Sequence, residues 1–83
     1  MKILLIEDEA KIADFVLKGL ADAGFAVTHV KDGEQGLQAI LQTDHDLVVL
    51  DLMLPKINGY DVLRQAREQG ITTPGVVMPC SLA

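Results

Sequence analysis

Cysteine, tryptophan, aromatic rings and basic charge are all scarce in this 83-residue chain, and each scarcity removes a class of function. The one cysteine, Cys80, excludes an internal disulfide and a cysteine-based zinc site. The two histidines, His29 and His45, are not spaced with it as metal ligands, so no transition-metal cage is expected. Lys and Arg number 7 against 12 Asp and Glu, for a formal charge of −5. That balance argues against direct binding of a nucleic-acid backbone by this chain. No apolar run approaches the roughly 20 residues of a membrane span. No basic segment leads into an apolar stretch at the start, so neither a span nor a secretory signal is expected. A reducing cytoplasm is the expected compartment. A glycine-rich phosphate loop is also lacking after the first apolar run, which disfavours a nucleotide- or flavin-type binder.

What the chain does have is apolar residues, at 49%, and a mean hydropathy of +0.29, too apolar for disorder. One domain is the most that this length allows, burying only about 60–65% of its unfolded surface. Two short runs, Ile3-Leu4-Leu5-Ile6 and Leu47-Val48-Val49-Leu50, are apolar throughout. Such runs read as strands covered on both faces, as in a parallel sheet flanked by helices. The first leads into Glu7-Asp8 and the second into Asp51.

Strand and helix patterns alternate. The spacing predicts strands at 2–6, 26–30 and 47–50, with a fourth after Pro74. A first helix, capped by Asp8, should run to about Ala23, with Ile12, Phe15, Val16, Gly19, Leu20 and Ala23 facing inward. Gly24 suits the left-handed position that ends it. A second helix should follow the Asp32-Gly33 turn to about Leu41, and a third should span Tyr60–Glu68, closed by Gly70. Phe15 and Phe25 are expected in the core, Tyr60 with its ring partly covered, and His29 and His45 as ordinary strand and loop residues. The fold class is therefore α/β, a doubly wound parallel sheet. Right-handed crossovers with helices on both faces give the order 2-1-3-4. Strands one and three then flank the point where the winding reverses, where such sheets bind ligands at their carboxyl ends. Glu7, Asp8 and Asp51 fall there. Gathered carboxylates repel unless a cation sits among them. Mg²⁺ suits that role, since one or two carboxylates and several waters satisfy it. A carboxylate beside it could act as a nucleophile toward phosphorus.

These residues carry a resemblance. Glu7-Asp8 after an apolar strand, the helix 12–20, Asp32-Gly33, and Asp51-Leu52-Met53-Leu54-Pro55 with Gly59 are similar to the response-regulator receiver domain of bacterial two-component signalling. The branch most resembled carries receivers ahead of a winged-helix DNA-binding domain in transcriptional regulators. The resemblance implies a flavodoxin-like fold and a phosphoryl group accepted on Asp51 from a sensor histidine kinase. It implies Mg²⁺ held by Asp8, Asp51 and the backbone carbonyl of Met53, with Glu7 acting through water. Pro55 and Gly59 would shape the loop.

The chain departs from that family beyond Pro74. Residues 1–83 are expected to form an incomplete receiver domain of four strands and three helices, lacking the fifth strand, its phosphate-contacting lysine and the last two helices. Nothing assigns Lys56 to that lysine's place. Residues 75–83 are atypical: the switch hydroxyl should fall near Pro79 or Cys80, and Ser81 is the only nearby candidate. One sheet face covered by a single helix, together with an open strand edge, predicts self-association. The alternative function is a non-switching fragment that only docks on a kinase or on itself.

Overall fold

Strand β1 (Lys2–Ile6) lies inside a parallel sheet because Ile3, Leu4, Leu5 and Ile6 are all buried, alternately facing two different helical layers. The computed structural model describes residues 1–78; Pro79, Cys80 and Ser81 lie outside them. The other elements are α1 (Ala10–Asp22), β2 (Ala26–Val30), α2 (Gly33–Gln42), β3 (Leu47–Asp51), α3 (Gly59–Glu68) and β4 (Gly75–Met78). All strand pairs are parallel and the order is β2-β1-β3-β4, as the crossover argument required. Leu4, Ile6, Val48 and Leu50 pack with Ile40, Val62 and Ala66 beneath α2 and α3. Ile3, Leu5 and Val49 pack with Ala13 beneath α1. Each such side chain contributes roughly 1.5–3 kcal/mol of burial, so the two central strands supply most of the cohesion.

The helix ends follow local chemistry. Asp32 caps α2, its Oδ1 accepting the Gln35 N–H at 2.8 Å. Asn58 caps α3 by accepting the Asp61 N–H at 2.9 Å. Gly24, at φ 90°, and Gly70, at φ 84°, provide the left-handed residues after α1 and α3. Arg67 donates to the carbonyls of Ile71 and Thr73 at 3.0 and 2.8 Å, tying the connection that leads into β4 back to α3.

Several expectations fail on α1: Gly19 and Ala23, expected to face inward, are exposed. Asp8 does not cap the helix; Glu9 holds the N-cap position without a side-chain bond, because the helix starts one residue later. Phe15 is 82% exposed rather than in the core. The stripe that meets the sheet is Ala13, Val16, Leu17 and Leu20, spaced three and four apart. Phe15 lies roughly 150° around the helix from the middle of that stripe. Ala13 is buried with Ile3, Leu5 and Val49, so the small residue faces the sheet and the larger ring faces solvent. Tyr60 is also more exposed than expected, at 66%, whereas Phe25 does pack against the α1-side core.

Glycine matters most where two loops meet. A Cβ at Gly33 would overlap the Ile57 carbonyl, and one at Gly59 would overlap the Asp51 carbonyl. Gly19, on the outer face of α1, meets nothing within 4 Å. Gly19→Ala should therefore raise stability by about 0.5–1 kcal/mol through helix propensity. Gly33→Ala should lower it by about 1–3 kcal/mol through overpacking. Urea denaturation of the two variants beside the parent chain checks both signs.

Candidate metal centre

Register brings the acids together. Ile6 pairs with Leu50, so the next residues along the two strands, Glu7 and Asp51, stand side by side. Both continue the face occupied by Ile3, Leu5 and Val49. Both are fully buried, while Asp8, one residue on, is exposed. One carboxylate oxygen from each of Glu7, Asp8 and Asp51 lies within 4.8 Å of the others. Residues 43 and 44 apart in the chain thus form one cluster because two parallel strands end on the same edge.

Backbone groups hold these carboxylates. The Glu9 N–H donates to Glu7 Oε1 at 3.1 Å, and the Met53 N–H donates to Asp51 Oδ1 at 3.1 Å. Glu7 Oε2 is buried and accepts no N–H from the described residues. Burial pushes the Glu7 carboxyl up to about 7, with Asp51 and Asp8 adding to the rise and the Glu9 amide partly opposing it. A buried carboxylate oxygen lacking an N–H donor, beside two further acids, is a hard-oxygen site short of positive charge. The donor set fits a divalent cation such as Mg²⁺, which accepts carboxylates and fills its remaining positions with water.

The loop after β3 is held from both sides. The Gly59 N–H donates to the Leu52 carbonyl at 2.9 Å, and the Gly33 N–H donates to the Pro55 carbonyl at 3.1 Å. The Ile57 N–H returns to the Pro55 carbonyl at 2.8 Å around Lys56, whose φ of 70° makes this a γ-turn of the strained, positive-φ kind. Lys56 Nζ lies 3.8 Å from Asp32 Oδ2, pairing with the α2 cap. Ser81, the candidate switch hydroxyl, falls outside the described residues.

Sequence reasoning passed over one neighbour of the cluster. His29, read as an ordinary strand residue, places Nε2 2.8 Å from the backbone oxygen of Glu7. The available signal was its place one residue before the end of β2, on the same face as Val27; only the pairing of β2 with β1 gave that position a meaning.

Comparison with known proteins agrees with this picture. The response regulator receiver domain model matches residues 3–81. The chain is 41% identical over 78 residues to the probable transcriptional regulatory protein SilR of Salmonella typhimurium, covering 94% of this chain and 34% of that protein. It is 48% identical over 79 residues to the transcriptional regulatory protein CiaR of Streptococcus pneumoniae, covering 94% and 34%. It therefore spans about a third of the length of these curated relatives. Among solved structures, the receiver domain of the sensor histidine kinase PA1611 from Pseudomonas aeruginosa aligns with a TM-score of 0.88 and 29% identity, covering 92% of this chain and 64% of that one. That structure has a magnesium ion coordinated in its active site cleft.

The raised Glu7 carboxyl has a consequence for metal-free protein. Its folded value of about 7 exceeds the ordinary 4.5, so the fold holds this proton more tightly than the unfolded chain does. The resulting stabilisation is complete below about pH 4.5 and is lost as pH rises through about 7. Thermal melts in EDTA should therefore show stability falling between pH 5 and pH 8, by at most about 3 kcal/mol. Glu7→Gln should flatten that fall; an unchanged slope would locate its cause elsewhere.

Proposed function

The chain belongs to the response regulator receiver domain family, and on that footing we propose that it is the phosphoacceptor part of a bacterial two-component signalling protein. Its partner is a sensor histidine kinase in the cytoplasm, and Asp51 is the acceptor. The convergence of Glu7, Asp8 and Asp51 on one sheet edge carries this reading. The described residues form four parallel strands and three helices of that domain's fold. The curated relatives are named as transcriptional regulatory proteins, which supports transcription control as the output of an intact relative.

The chemistry assigned to the chain's own residues is simple. Asp51 attacks phosphorus, forming an O–P bond as the P–N bond to the kinase histidine breaks, and the imidazole leaves with a proton. The Met53 N–H at Oδ1 holds the Asp51 carboxylate in place for that attack. Asp51 is covered in this conformation, so the donor reaches it as the adjoining loop moves aside; Met53 in that loop is 54% exposed. Asp8 and Asp51 would hold Mg²⁺ directly, with the Met53 carbonyl as a further oxygen and Glu7 acting through water. When bound, Mg²⁺ supplies charge neutralisation for the gathered carboxylates and the incoming phosphoryl oxygens. Lys56 is assigned no part in the transfer, because it pairs with Asp32.

Incubation with Mg²⁺ and a small acyl phosphate should add one phosphoryl group, detected by intact-protein mass spectrometry. The adduct should be acid-stable and hydroxylamine-labile, disappear in Asp51→Asn and fail to form in EDTA. A parent chain that stays unmodified would sink the phosphoacceptor reading and leave a kinase-docking fragment.

A second reading, self-association at β4, rests on a separate observation. Val76 and Val77 are 50% and 38% exposed, and Gly75–Met78 carries no charge to discourage pairing with another strand. Sedimentation velocity should show concentration-dependent association that Val77→Lys abolishes; a parent chain that is monomeric throughout would refute it.

A further inference from the structure

The last backbone bond between β1 and β2 at the carboxyl edge is the Glu7 N–H donating to the Val30 carbonyl at 3.1 Å. Strand pairing stops there, with Ile6 opposite Val30. In a parallel ladder the Glu7 carbonyl would next receive an amide from the neighbouring strand. Beyond Val30, however, the chain turns away, and Asp32 becomes the extended cap of α2. His29 fills the gap. Leu5 is its partner in register, so its ring reaches two residues along β1 to bring Nε2 2.8 Å from the Glu7 oxygen. A carbonyl can only accept, so the proton sits on Nε2.

We propose that His29 is a positioning residue for the acidic centre: its Nε2–H replaces the missing ladder bond and fixes the peptide linking Glu7 to Asp8. That peptide sets the relative placement of two of the three clustered carboxylates, one buried and one exposed. The Glu7 residue is then held at its N–H by Val30, at its carbonyl by His29 and at its side chain by the Glu9 amide. Loss of the middle restraint lets the peptide rotate, and rotation carries the Asp8 carboxylate away from Asp51. The effect on metal affinity rests on the proposed Mg²⁺ centre; the restraint itself does not.

The test compares His29→Leu, which keeps an apolar side chain suited to a half-buried strand position, with His29→Gln, which restores an N–H donor. In metal-free protein, hydrogen exchange at the Glu9 amide should speed up about tenfold in His29→Leu and return to the parent rate in His29→Gln. Imidazole ¹⁵N NMR, with His29→Gln used to assign the signal, should show the Nε2–H tautomer for His29. With Mg²⁺ titrated by NMR, His29→Leu should bind about tenfold more weakly and His29→Gln within about twofold of the parent, as for residues that orient metal ligands. Unchanged Glu9 exchange in His29→Leu overturns the proposal, as does equal Mg²⁺ affinity in the two variants when the parent chain binds the ion. A parent chain showing the exchange effect but binding no Mg²⁺ would support the positioning role and overturn the metal centre alone.

Discussion

Two carboxylates, Glu7 and Asp51, are held side by side without access to bulk water, and the rest of the structure is arranged around that constraint. Their proximity is a matter of register. Once Ile6 pairs with Leu50, no rotation within either strand can separate the residues that follow. The register is enforced by apolar burial, since a slip of one residue would exchange the faces of Ile3, Leu4, Leu5 and Ile6 and break both helical contacts. The fold uses hydrophobic free energy to hold like charges together. The raised Glu7 carboxyl, one oxygen of which accepts no N–H from the described residues, records the opposing electrostatics.

The loops that frame this pair are fastened to one another as well as to the sheet. Gly33 and Gly59 permit backbone approaches that a methyl group would block, and both approaches lie in the segment following Asp51. The γ-turn at Lys56 stores strain of about 1–3 kcal/mol in that segment. Its ion pair with Asp32 joins an exposed ammonium to a mostly covered carboxylate at 3.8 Å and contributes little beyond orientation. A strained loop beside the proposed acceptor carboxylate is suited to rearrange when the charge on that carboxylate changes. The Asp32 cap, the Gly33 amide and the Pro55 carbonyl link the start of α2 to that loop, so a rearrangement there would reach α2.

Much of this was legible in the residues. Unbroken apolar runs marked the two central strands, Gly24 and Gly70 marked helix ends, and the alternation of elements implied the observed strand order. The acids following β1 and β3 were therefore expected to meet, and they do. What failed was angular detail. Helical spacing pointed to an inward face containing Phe15, while the sheet accepts the one containing Ala13 and Leu17. Asp8 looks like a helix cap in sequence because capping residues and metal-ligating acids are the same residue types. The start of α1 at Ala10 removes the capping role from Asp8.

Local composition and periodicity by themselves determined the element order, the two-sided burial of β1 and β3, and the identity of the three acids, because those depend on interactions between near neighbours or on averages along a segment. Tertiary structure decided the rotation of α1, the burial that pushes the Glu7 carboxyl up to about 7, and the use of His29 against the Glu7 carbonyl. Each of these depends on how one element meets another across the sheet. The energies involved belong to pairs of residues that only the completed packing brings within reach.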